Sequence, residues 1–126
     1  MKRPYSPPRI TKYRNVSELP EHLRRELVDK LITLIDEHRT YRFVSESFAQ
    51  AIGYRPEELI GKRVDDITVE KSVDLDFVFK AFLALGEMDG LWLCKHRNGG
   101  HVLFHYHARV TFDGLYAEAE PLPTAA

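Results

Sequence analysis

Cysteine is all but missing from this chain. Cys94 stands alone among 126 residues, which excludes an internal disulfide, a CxxC redox pair and a four-cysteine zinc site, and fits a reducing compartment. No apolar run approaches the roughly 20 residues that a membrane-spanning helix needs, and the basic N-terminus is not followed by the apolar core of a signal peptide. A cytoplasmic protein is therefore expected. Net charge is lacking too: a formal −1 leaves no overall field to draw the molecule onto nucleic acid or an anionic membrane. Internal repeats are absent, and two full domains would not fit.

What is present is enough for one domain. Apolar residues make up 44% of the chain, sufficient for a core that stands alone. The charge is unevenly spread, since Lys2, Arg3, Arg9, Lys12 and Arg14 precede Ser17 with no acid among them. With Pro4, Pro7 and Pro8 this basic stretch reads as an extended arm over residues 1–16, either a solvated tail or a segment that docks on an acidic partner. A single domain over 17–122 and a short tail over 123–126 complete the division.

Within the domain, Ser17 can cap a helix over 17–30 that carries Leu23, Leu27 and Leu31 at four-residue spacing. Leu31 to Ile35 reads as a strand, Asp36-Glu37-His38-Arg39 as a turn, and Tyr41 to Val44 as a second strand with Tyr41 and Phe43 on one side. Two short helical segments follow, one from Ser45 to Ile52 stopping at Gly53, the other opening on Pro56 and stopping at Gly61. Ser72 can cap a longer helix whose apolar face is Leu75, Val78, Phe79, Phe82 and Leu85, ended by Gly86.

From Leu91 the period changes to two, and Asn98-Gly99 and Asp113-Gly114 mark two hairpins. Taken as two-residue loops, they set Leu93 against Phe104 and Leu91 against Tyr106 on an apolar face, with Trp92 opposite His105 and His96 opposite His101 on the other. They also set Arg109 against Glu118 and His107 against Glu120. Three antiparallel strands close an α+β chain.

The central run Gly53-Tyr54-Arg55-Pro56-Glu57-Glu58-Leu59-Ile60-Gly61-Lys62, flanked by these strands in this order, resembles the PAS family over residues about 31 to 122. Gly90-Leu91-Trp92, His96-Arg97-Asn98-Gly99, Tyr106 and Asp113-Gly114 look like those of small stand-alone bacterial PAS proteins. The resemblance implies a PAS fold: a five-stranded antiparallel sheet in spatial order 2-1-5-4-3, helices over one face, and an added N-terminal flanking helix. Fold does not name function, because PAS domains hold haem, flavin or carboxylates, or only dimerise. The reactive Asn-Cys-Arg-Phe run of the flavin-binding photosensors is missing, and the long helix has no histidine to serve as a usual haem ligand. No cofactor is expected, and an unidentified small ligand stays open.

The inward set Phe43, Leu75, Val78, Phe82, Phe104 and Tyr106 either fills a core or lines a ligand pocket. Leu23, Leu27, Trp92, Leu103 and His105 form the expected homodimer interface, because apolar groups on the outer sheet face need cover. Cys94, His96 and His101 are the weaker alternative, a metal set, or with a haem a non-standard cofactor sensor. Ser45 and Ser47 read as helix-start residues, Glu57-Glu58 as a helix-end charge and Asp65-Asp66 as a solvated loop. No enzyme is expected. The function expected is a PAS sensor and protein-interaction module in signal transduction, with its effector supplied in trans and no nucleic-acid or membrane partner.

Overall fold

The computed structural model describes residues 30–111 and 114–123. The expected basic arm, the helix bearing Leu23 and Leu27, and residues 124–126 of the tail lie outside them. Strand β1 (Leu31–Ile35) and strand β2 (Tyr41–Val44) are followed by four helical segments: α1 (Glu46–Ala51), α2 (Pro56–Leu59), α3 (Val64–Ile67) and α4 (Leu75–Leu85). Strands β3 (Glu87–Lys95), β4 (His101–Thr111) and β5 (Gly114–Pro121) close the chain. The five strands form one antiparallel sheet in the order β2-β1-β5-β4-β3, as the resemblance implied.

Local chemistry sets the boundaries. Asp36 Oδ1 accepts the backbone N–H groups of His38 and Thr40, both at 2.9 Å, and so folds the β1–β2 turn. Buried Ser45 caps α1 through its Oγ, which accepts from Phe48 N at 3.2 Å and also from Ile32 N in β1 at 2.9 Å. One hydroxyl thus stitches helix to strand. The cap of α4 is Asp74, not Ser72, whose hydroxyl donates to the Val69 carbonyl instead. Gly86 ends α4 at φ +82, a conformation that costs other residues strain.

Two registers differ from the expectation. The β3–β4 loop spans His96 to Gly100, with Lys95 opposite His101, so it has an odd number of residues and β3 slips by one relative to a two-residue turn. A slip of one turns every side chain to the other face. Trp92 now pairs with Phe104 and Gly90 with Tyr106, while Leu91 lies opposite His105 and Leu93 opposite Leu103. The loop is fixed from outside the hairpin: Arg97 N–H donates to the Ile52 carbonyl at 2.9 Å, and the Arg97 side chain pairs with Glu58. In the second hairpin Gly114 already belongs to β5, opposite Thr111, and His107 meets Glu118 rather than Glu120. That shift is two residues, and the faces of β4 and β5 are unchanged.

The core lies between the helices and the inner sheet face. Phe48 stacks on Trp92 with ring centroids 5.7 Å apart and tilts against Phe104 at 5.6 Å, contacts that add to the area they bury. Of α4 only Phe82 is fully enclosed, and Leu85, expected on its apolar face, is 71% exposed. Ile32, Leu34 and Phe43 are equally buried but stand apart from this core, on the other face of the sheet. Phe43 arrives there because the β1–β2 register shifts between Leu34 and Ile35, so that Tyr41 and Val44 turn inward and Phe43 pairs with Leu34.

The segment joining α2 to α4 also touches both margins of the sheet. Thr40 bridges to Arg63 beside β2, and Thr68 bridges to Cys94 of β3. Val69 N–H donates to the Leu93 carbonyl at 3.0 Å.

Candidate functional site

Between α4, α3 and the inner sheet face lies a partly open cavity of about 90 Å³. A single water needs about 10–15 Å³ on this measure, so the space suits a ligand of roughly six to nine non-hydrogen atoms. Of the residues singled out from the sequence, Leu75, Val78 and Phe82 reach it from the helix side and Tyr106 from β4. Phe43 does not line it, being on the far face of the sheet, and neither does Phe104, which is enclosed behind the Phe48 and Trp92 rings.

The walls are almost wholly apolar, and the polar tips among them are few. Tyr106 O–H reaches only the Met88 sulfur, at 3.5 Å, a weak acceptor. Its ring lies over Gly90, where any Cβ would come within 2.6 Å of the hydroxyl. Burial pushes the Tyr106 phenol above its ordinary pKa. Tyr41, from β2, is 1% exposed, and its hydroxyl has no hydrogen-bond partner. Burial is also the main cause that raises its pKa, with smaller contributions from Cys94, Asp65 and Asp66. Tyr41 and Trp92 are among the cavity residues that the sequence pattern missed or misplaced. The β2 irregularity hid the first and the odd loop the second.

Behind the cavity wall at Phe79 stands Arg39, whose own φ is +66. Its guanidinium donates to both Asp65 oxygens, at 2.8 and 2.9 Å, and reaches Asp76 at 3.0 Å. It also sits 5.2 Å above the ring of Phe79, which lines the cavity. Asp65 is therefore not a solvated loop residue: it belongs to α3, and its hydrogen bonds to Arg39 hold its carboxyl below the ordinary carboxylate range. A β-turn, α3 and the start of α4 meet in one charge cluster.

The metal set does not assemble. Cys94 is fully buried on the inner face, His101 is exposed opposite Lys95, and His96 sits in the hairpin loop against Gly53. A single face shared by these histidines and the cysteine would require β3 in the other register; among the described residues no three such side chains converge. Burial raises the Cys94 thiol pKa, which opposes the thiolate a metal would need.

The outer sheet face is charged along β3 and β4. His107 Nδ1 meets Asp89 Oδ1 at 2.8 Å, and Arg109 Nε donates to His107 Nε2 at 2.8 Å. Leu103 and His105 lie on this face, and Leu91, 61% exposed, takes the place expected for Trp92. Trp92 points inward, with its Nε1–H donating to Thr68 Oγ1 at 2.9 Å. No helix among the described residues is long and apolar enough to cross a membrane.

No family model and no curated protein matches the chain. Solved structures do. The PAS domain of an HTR-like protein from Haloarcula marismortui superposes with a TM-score of 0.67 at 16% identity, over 81% of this chain and 93% of that one. The PAS domain of a LuxR-family transcriptional regulator from Burkholderia thailandensis, in complex with ethanol, gives 0.65 at 14% identity, over 82% and 98%. A domain of a sensory box sensor histidine kinase/response regulator from Geobacter sulfurreducens gives 0.64 at 20% identity, over 79% and 91%. These similarities, with the sheet order above, establish the PAS fold for this chain.

Proposed function

We propose that this PAS-fold chain is a sensor and protein-interaction module in signal transduction, which admits a small ligand between α4 and the sheet and passes the change to a partner through the outer sheet face. The observation that carries it is the cavity of about 90 Å³, left unfilled although large aromatic side chains surround it. A close-packed interior leaves few voids larger than a water molecule, so a void of this size is an invitation to a ligand. The ethanol held by the Burkholderia domain supports the same use of the fold.

The route outward runs through the strands. Tyr106 lines the cavity, and its neighbours His105 and His107 on the same strand face the other way. A second copy of the chain, meeting the Leu91, Leu103 and His105 side, is the partner we propose. The proposal is tested by titrating the protein with small neutral organic molecules while recording amide NMR shifts, and by light scattering with and without them. Shifts confined to α4 and the inner sheet residues, and a dimer mass that Leu103→Glu reduces to that of a monomer, are the results expected. Shifts scattered over the surface refute the cavity as the sensor, and a mass unchanged by Leu103→Glu refutes the interface.

A further inference from the structure

The cavity has a floor of small side chains. Val44, Thr33, Ala117, Ala108 and Met88 are direct neighbours across β2, β1, β5, β4 and β3 in turn. The middle three all line the cavity, and none is long enough to reach the Val78, Phe79 and Phe82 side chains above them, so the space between stays unfilled.

Thr33 is the polar member of that row. It is 6% exposed, and its hydroxyl makes no hydrogen bond to a described residue. Nor is its oxygen sealed: among the described residues the enclosed, unpaired side-chain oxygen or nitrogen is Tyr41 Oη alone. The Thr33 oxygen therefore keeps accessible surface. Its side chain stands on the inner face with Ile35 and Ala117, so the space it meets there is the cavity it lines. A valine would fill the same volume with no hydroxyl to desolvate. The other polar tips around the cavity are engaged, Trp92 Nε1–H with Thr68, Tyr106 O–H with the Met88 sulfur and Tyr116 O–H with Glu118.

We infer that the cavity takes a small neutral alcohol or ketone, mainly hydrocarbon, whose oxygen pairs with Thr33 Oγ1 on the sheet floor. This rests on the sensor proposal and adds the ligand's chemical class and its anchor. No residue lining the cavity is charged, so an ion of either sign would lose hydration with no counter-charge to offset it. Arg39, behind Phe79, is already held by Asp65 and Asp76. The apolar walls favour a hydrocarbon body. A threonine hydroxyl both donates and accepts, so it complements either a carbonyl or a hydroxyl oxygen.

The test uses two molecules of similar shape, cyclohexanol and methylcyclohexane, titrated by NMR into the wild-type chain, Thr33→Val and Thr33→Ser. Water hydrates the alcohol far better, so the informative quantity is how each affinity changes between proteins. Thr33→Val is expected to weaken cyclohexanol about tenfold, since the alcohol is then buried without its partner, and to leave methylcyclohexane within about twofold. Thr33→Ser, which keeps the hydroxyl, should hold the ratio of the two affinities near that of the wild type. Equal weakening of both molecules by Thr33→Val, or of neither, overturns the Thr33 anchor. So does a Thr33→Ser protein that behaves like Thr33→Val, or a wild type that takes the hydrocarbon and not the alcohol. In each of those cases the cavity survives as a binding site. A wild type that binds neither molecule in the cavity overturns the anchor and the sensor proposal together.

Discussion

Replacing Arg39 with methionine keeps an unbranched side chain of similar length beside Phe79 and removes the guanidinium, so it isolates the charge cluster behind that cavity wall. Two parallel N–H bonds to Asp65 are lost, and the third contact, to Asp76, counts for little because that carboxylate is 90% exposed and screened by solvent. Hydrogen bonds to charged groups are each worth about 1.5–3 kcal/mol, and Asp65 can recover part of that from water, its side chain being one-third exposed. A net loss of about 2–3 kcal/mol is expected at pH 7, which lowers the melting temperature by roughly 10 °C or more for a domain of this size. Urea unfolding followed by circular dichroism measures it.

The pH dependence supplies a second, independent check. Because Arg39 holds the Asp65 carboxyl below its ordinary pKa, the stability it contributes is fully present above the unfolded value of about 3.9 and is lost as pH falls through the lowered folded value. The gap between wild type and Arg39→Met should therefore narrow as the pH drops below about 4. A gap under about 0.5 kcal/mol at pH 7, or one that stays the same at pH 3, refutes the role assigned to this pair.

Ser45→Ala strips the acceptor from two buried N–H groups at once, and a destabilisation of about 2–4 kcal/mol in the same urea assay is expected; Ser45→Thr, which retains the oxygen, should lose less. Cys94 is enclosed on the inner face with its thiol pKa raised by burial, so at pH 8 it should react with an aromatic disulfide reagent only at the rate of unfolding. Rapid labelling of the native protein would show that β3 does not face as described.

Much of this architecture was legible in the residues. Gly53, Gly61 and Gly86 stop the helices at positive φ, and the apolar alternation of β4 gave its inner face correctly because the register error at its β5 side was even. The β3 face was not legible. Asn98-Gly99 suggests a tight turn, yet Arg97 is tied to Ile52 and Glu58, residues 39 or more positions away, and this tertiary anchoring lengthens the loop to an odd count. Alternation likewise placed Tyr41 and Phe43 together, but the irregularity at the start of β2 separates them. The cavity itself depends on how residues from seven elements fail to fill the space between them, and the Arg39 to Asp65 pair spans 26 positions. Neither leaves a local pattern to read.

The two bridges made by the α2-to-α4 connection bear on how copies of this protein can associate. Backbone amides along a sheet margin ordinarily recruit another strand, the first step toward fibrous growth. Here Arg63 stands at one margin and Thr68 with Val69 at the other, while the upper stretch of β3 bears Glu87 and Asp89, whose like charges repel an identical strand. One connector thus occupies the start of the β2 margin and the end of the β3 margin, where a further strand would otherwise find free amides.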